Sequence, residues 1–193
     1  MTVRQAITNL VLNGSLYREK GRGTFVSKPK LEQPLNALTS FTEDMRARGL
    51  VPSNKLIKFE KQPPPFDIAR GLLLEEGEEV YFIVRIRNAD EQPMAIERTY
   101  IPVRALPNLT EESFNGSLYR LVEDTYGLKM GNAIQQMEAS IVAKEDSKYL
   151  QIDPSAVVLM IKRISYLTDG RPVELVRSSY RADRYKFISE IQR

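Results

Sequence analysis

Arg85 and Arg87 stand two residues apart in a run, Glu79 to Asn88, whose apolar residues alternate as in a β-strand. A period of two puts both guanidiniums on one face. Two guanidiniums that close repel unless an anion or a carboxylate sits between them. Glu97 and Arg98, on the returning run Met94 to Ile101, lie within cross-strand reach. Two readings follow: a ladder of surface ion pairs, or a clamp for an oxyanion, since the planar arginine fork fits phosphate and carboxylate. Ser40 opens a helix at Phe41 with Glu43 three residues on, a capping box whose free N–H groups suit an anion as well as a cap. Ser117 and Tyr119 begin another helical stretch and bring two hydroxyls. Glu174 and Tyr180 are six apart, so an unbroken strand places them on one face. An acid and a phenol beside an anion site would suit a polyhydroxylated ligand such as a sugar phosphate. Taken singly, each residue also has a purely structural reading.

Other chemistry is excluded by composition. The 193 residues include no Cys, hence no thiolate nucleophile and no Cys-ligated metal. They include no His, hence no Ser-His-Asp triad and no imidazole base. Neither a Walker-type phosphate loop nor a dinucleotide fingerprint occurs. With 42% hydrophobic and 27% charged residues the chain reads as globular. No apolar run reaches the length of a membrane span, and no signal peptide is evident, so a cytoplasmic protein is expected.

The charge is uneven. Net charge is +3, yet residues 1–30 carry six basic side chains and one acid, which leaves the remainder slightly acidic. Only the head is therefore expected to meet a polyanion. Residues 2–13 have helical periodicity and stop at Asn13-Gly14. Two short strand-like runs follow, Ser15–Arg18 and Thr24–Ser27, around the basic glycine turn Glu19 to Gly23. Helix plus basic hairpin is the rear half of a winged helix. Thr2, Arg4 and Gln5 at the helix start, with Lys20, Arg22 and Gly23 at the wing, are the candidate DNA contacts. The first two helices of such a unit are expected to be absent, so the head is expected to be a truncated DNA-binding domain.

The elements that would position the candidate clamp follow in order. Lys28 to Pro34 reads as a linker. A helix from Ser40 to about Arg48 comes next, then strand Leu56–Lys61, helix Asp67–Leu74 and a hairpin turning at Asp90–Pro93. Glu111–Tyr126 reads as mainly helical, Asn132–Ala143 as a strand, Lys144–Leu150 as a helix, and Val157–Arg181 as a second hairpin turning at Asp169-Gly170. The body contains an internal repeat: Leu72 aligns with Leu150, Val80 with Val158 and Arg85 with Arg163. Each half is a short helix, a strand, an Asp-x-x-Pro turn and a strand. Two such halves predict an α+β fold, an antiparallel sheet with helices on one face.

These residues resemble a known family. Thr2 to Ile7, Leu16-Tyr17-Arg18 and Gly21 to Val26 are similar to the second half of a GntR-type winged helix. Leu38 to Met45, Pro93 to Glu97 and Tyr180 to Phe187 resemble the UTRA effector domain of the HutC subfamily, especially in its repressors of N-acetylglucosamine utilisation. The resemblance implies a chorismate-lyase-like α+β domain that dimerises, binds a small effector and thereby weakens operator binding. It implies glucosamine 6-phosphate or N-acetylglucosamine 6-phosphate as effector and no cofactor. Ser40, Phe41, Arg85, Ser117 and Tyr119 would hold the phosphate end, and Arg87, Glu97, Glu174 and Tyr180 would face the sugar.

The expected organisation is therefore a partial winged helix over 1–28, a linker over 29–36 and the effector domain over 37–193. Expected partners are operator DNA, a small-molecule effector and a second copy of the chain, with no membrane. Two alternatives stand beside the regulator: a dimerising fragment that does not read DNA, and an enzyme on the related lyase fold using Glu97 or Glu174 as an acid.

Overall fold

The computed structural model describes residues 2–13, 15–19, 23–26, 30–35 and 38–191. The head has helix α1 (Val3–Leu12) and the antiparallel hairpin β1 (Leu16–Glu19) with β2 (Gly23–Val26). Thr2 caps α1, its Oγ1 accepting from the Gln5 N–H at 3.3 Å. Arg18 donates to Thr8 Oγ1 at 3.3 Å and so ties hairpin to helix. No residue of α1 is buried.

Strand β3 (Leu31–Pro34) occupies the stretch expected to be a linker. It pairs in parallel with β10 (Tyr185–Ile188), at the other end of the sequence. Lys186 and Glu32 close the pair with an ion pair at 2.6 Å. Helix α2 (Phe41–Ala47) carries the predicted capping box, with Ser40 and Glu43 bonded both ways. It ends at Gly49, whose φ of +72° suits glycine.

The centre is a six-stranded antiparallel sheet in the order β4-β5-β6-β9-β8-β7. Its strands are β4 (Pro52–Gln62), β5 (Val80–Ala89), β6 (Gln92–Pro102), β7 (Met130–Ile141), β8 (Val157–Leu167) and β9 (Pro172–Arg181). The repeat is visible in this order: β4-β5-β6 and β7-β8-β9 meet back to back at the β6–β9 seam. Asp90 and Glu91, both at positive φ, join β5 to β6 in a two-residue turn. That tight turn fixes Arg85 opposite Glu97.

The repeat's helices, α3 (Phe66–Gly71) and α5 (Lys144–Leu150), cover one face as expected. Ile68 and Leu72 of the α3 region pack on Val80, Tyr100 and Leu175, while Leu150 packs on Val84, Ile96 and Val158. The opposite face is covered by α2, the β3–β10 pair and the segment after residue 110. That segment departs from the single expected helix. It forms a 3-10 turn (Glu111–Phe114), breaks at Asn115-Gly116, then continues as α4 (Leu118–Arg120) and a π-helical turn (Leu121–Thr125). The break lets Phe114, Leu118 and Val122 all bury against Tyr81, Ile83 and Ile101.

Candidate functional site

The second face is apolar at its edge and polar at its centre. Ser40, Phe41, Arg85, Arg87, Glu97, Tyr119, Glu174 and Tyr180 line one cavity of about 50 Å³ there. Arg85 and Arg87 follow each other on one face of β5, as the alternation requires. Glu97 on β6 faces Arg85, and the β9 pair Glu174 and Tyr180 completes the floor. Ser117 does not line the cavity. It stands behind Ser40, to whose Oγ its hydroxyl donates at 3.1 Å. Arg98, one residue beyond Glu97, points to the other face and bonds Asp146.

The arginines are held with too few acceptors. Arg85 Nη2 lies 3.2 Å and Arg87 Nη1 3.5 Å from the same carboxylate oxygen of Glu97. Arg87 also donates to Thr42 Oγ1 at 3.0 Å. Each guanidinium lies over an aromatic ring, Arg85 above Phe114 and Arg87 above Phe41. Nε and Nη1 of Arg85 and Nε of Arg87 are buried without a hydrogen-bond partner among the described residues. Arg85 is only 3% exposed, which removes the reading of a surface ion-pair ladder. Burial, followed by repulsion from Arg87, pushes its pKa down to about 10, so it stays a cation at neutral pH.

The acid side behaves in the opposite sense. Burial raises the Glu174 carboxyl above its ordinary range, against the pull of Arg163. Ser165 donates to Glu174 at 3.0 Å, and Tyr119 shares a hydrogen bond with Ser165 at 3.1 Å. Burial, aided by Glu174, pushes the Tyr119 phenol up to about 12, so it remains a neutral donor. The assembly is a buried, donor-rich chamber with an acidic side. It can bind an anion at the arginines and hydroxyls or an amine at the carboxyls.

The capping box uses two of the free N–H groups at the start of α2: Ser40 Oγ accepts from the Glu43 N–H at 3.2 Å, and the Glu43 carboxylate accepts from the Ser40 N–H at 3.0 Å, which leaves the Phe41 and Thr42 N–H groups without an acceptor among the described residues. With seven residues the helix also has little dipole. Residues that went unnoticed in the sequence are Thr42, Arg163, Ser165 and Ser178. Arg163 had a signal, for it is the repeat mate of Arg85.

In the head, the cap residue Thr2 and Arg4 and Gln5 of α1 are exposed. Gly23 opens β2 with φ +129°. Lys20 and Arg22 lie outside the described residues.

Comparison with known proteins gives a consistent picture. The UTRA domain model matches residues 47–186. The HTH-type transcriptional repressor NagR of Bacillus subtilis is 44% identical over the whole chain, which covers 79% of that protein. The Escherichia coli mannosyl-D-glycerate transport/metabolism system repressor MngR is 29% identical, again over the whole chain and 80% of that protein. Among solved structures, PhnF from Mycobacterium smegmatis superposes with a TM-score of 0.78 at 28% identity, covering 98% of this chain and 84% of that one. NagR and MngR are both repressors by name. No helix among the described residues is long and apolar enough to cross a membrane.

Proposed function

We propose that this chain, which belongs to the UTRA-domain family of GntR/HutC-type transcriptional regulators, senses an amino-sugar phosphate such as glucosamine 6-phosphate or N-acetylglucosamine 6-phosphate. The observation that carries the reading is the pair of buried arginines sharing one carboxylate oxygen, with three guanidinium nitrogens left unpartnered among the described residues. A phosphate supplies the acceptors and the negative charge that this arrangement lacks. Arg87 is bonded to Thr42, next to Ser40 and Phe41, so we assign it to the phosphate end with Arg85 rather than to the sugar. Glu97, Glu174 and Tyr180 then face the hydroxyls and the amino group. Support for a sugar-derived anion also comes from MngR, whose name ties it to mannosyl-D-glycerate.

In this reading the bound effector alters operator DNA binding by a homodimer joined through the effector domain. Thr2, Arg4, Gln5, Lys20, Arg22 and Gly23 are the proposed DNA contacts. The strand β3 that leads from the head into the body forms part of the cavity wall through Gln33, so occupancy and head position share one element.

The test is thermal stability against sugar phosphates and their free sugars. A ligand at a hundred times its Kd stabilises by about 2.7 kcal/mol, several degrees for a chain of this length. We expect glucosamine 6-phosphate or its N-acetyl form to raise Tm and the free sugars to leave it unchanged. Equal shifts by sugar and sugar phosphate would refute the phosphate clamp. No shift with any amino-sugar phosphate would refute the effector class.

A further inference from the structure

Tyr119 and Glu174 line the cavity, and Ser165, which does not, stands between them. We infer that Tyr119, Ser165 and Glu174 form a reversible chain of hydrogen bonds, and that binding of the phosphorylated ligand reverses it by taking up one proton at Glu174. Ser165 is then a positioning residue: it touches no ligand but decides where the Tyr119 proton points. This rests on the reading above that the site holds a phosphate.

Each hydroxyl of the chain has a single proton to donate. That of Ser165 goes to Glu174 Oε2, at 3.0 Å. The Ser165 oxygen is then the acceptor for Tyr119, at 3.1 Å, and this uses the only phenolic proton. The other polar neighbour of Tyr119 among the described residues, Arg163 Nη1 at 3.4 Å, is itself a donor. In this state Tyr119 has no proton left for a phosphate and turns a lone pair toward the cavity.

Protonation of Glu174 inverts the chain. A proton from solvent on Oε2 makes the carboxyl the donor to Ser165. Ser165 turns its own proton to Tyr119, whose oxygen is then filled by Ser165 and Arg163. The Tyr119 proton is freed to point into the cavity, toward the phosphate end. All three side chains are buried, Ser165 without any exposed surface, so bulk water does not compete for these bonds.

The surroundings of Glu174 favour the change when a phosphate arrives. Burial already raises the carboxyl. Glu97 of β6 acts in the same sense, while Arg163 of β8 and Arg85 of β5 oppose it. Tyr119 of α4 and Tyr180 of its own strand are phenols that burial keeps neutral. Asp44 of α2 lines the same cavity and is already bonded to Gln33 and Thr39. A phosphate offsets the pull of Arg85 and adds negative charge, which raises the carboxyl further.

The experiment titrates the full chain by calorimetry between pH 7 and 8.5 with N-acetylglucosamine 6-phosphate, and with glucosamine 6-phosphate as a second probe. In that range a phosphate ester, with a second pKa of about 6, is almost fully dianionic. The bound form holds a proton that the free form lacks, so binding weakens as pH rises, and we expect native affinity to fall about tenfold across the range. Glu174→Gln carries an amide that donates to Ser165 at every pH. Its affinity should stay within about twofold across the range and exceed the native value at pH 8.5. Tyr119→Phe and Ser165→Ala cut the chain and should lose most of the pH dependence. In buffers of different ionisation enthalpy, the native chain should take up at least about half a proton more per ligand than Glu174→Gln. A native affinity that does not change with pH would overturn the inference and leave the phosphate reading in place. So would a native slope that persists in Tyr119→Phe and Ser165→Ala, for Glu174 would then act on the phosphate by charge alone. If neither sugar phosphate binds, the phosphate reading falls and the reversible chain falls with it.

Discussion

The two faces of one sheet treat arginine in opposite ways. On the helix-covered face, Arg98 and Arg177 sit directly opposite each other across the β6–β9 seam. Each bonds an aspartate from a helix of the other half. Arg98 grips Asp146 of α5 with two bonds, at 2.6 and 3.0 Å, and Arg177 bonds Asp67 of α3. On the cavity face of the same strands, Arg85 and Arg87 share one carboxylate oxygen and keep unpartnered N–H groups. The matched arginines lock the two halves of the repeat together. In the proposed function the unmatched ones hold charge ready for a ligand, at a cost to the fold. Lowering the Arg85 pKa from 12.5 to about 10 corresponds to about 3 kcal/mol of disfavoured charge.

This contrast can be broken at several points. The largest effect is expected at Arg85→Met, which keeps the bulk and removes the charge. Affinity for glucosamine 6-phosphate should fall more than a hundredfold by titration calorimetry; a change under threefold would remove Arg85 from the site. On the other face, Arg98→Met leaves Asp146, whose side chain is 4% exposed, with only the Ser179 hydroxyl among the described residues. Arg98 is itself 30% exposed, so we expect a loss of about 2 kcal/mol in denaturant unfolding rather than the full penalty of a buried orphan. Its ligand affinity should stay native.

A smaller effect separates the acids by pH. The raised pKa of Glu174 means that the fold favours its neutral form. Stability from this group is fully present below the ordinary value of 4.5 and is lost as pH rises toward the folded value. Glu174→Gln should therefore melt higher than the native chain at pH 7, and the gap should close at pH 4. A gap that persists at pH 4 would show packing rather than ionisation. The smallest effect belongs to Asp67→Ala. Asp67 and Arg177 are each close to half-exposed, so breaking their pair should cost less than about 1 kcal/mol.

Strand periodicity explains why so much of the site was legible in the sequence. Arg85, Arg87, Glu97, Glu174 and Tyr180 lie on two hairpins whose turns fix the register, and alternation then assigns their face. Arg163 is harder to read, because a lone arginine in an apolar strand suggests an outward charge, and only its repeat relation to Arg85 points inward. Strands β3 and β10 left no local signal. They pair in parallel across some 150 residues of sequence, and the prolines and charges around Lys30 read as a linker. The segment Glu111–Tyr126 has helical spacing throughout, but burying Phe114 and Leu118 on one curved face requires the break at Asn115-Gly116.

The most direct test sets the two faces side by side. Arg85→Met and Arg98→Met are melted at pH 7 in a buffer free of phosphate, sulfate and sugar phosphates. We predict shifts of opposite sign, with Arg85→Met above the native Tm because two unpartnered buried nitrogens and a repelling charge are gone, and Arg98→Met below it. Two downward shifts of similar size would contradict it, for both arginines would then serve the fold alone.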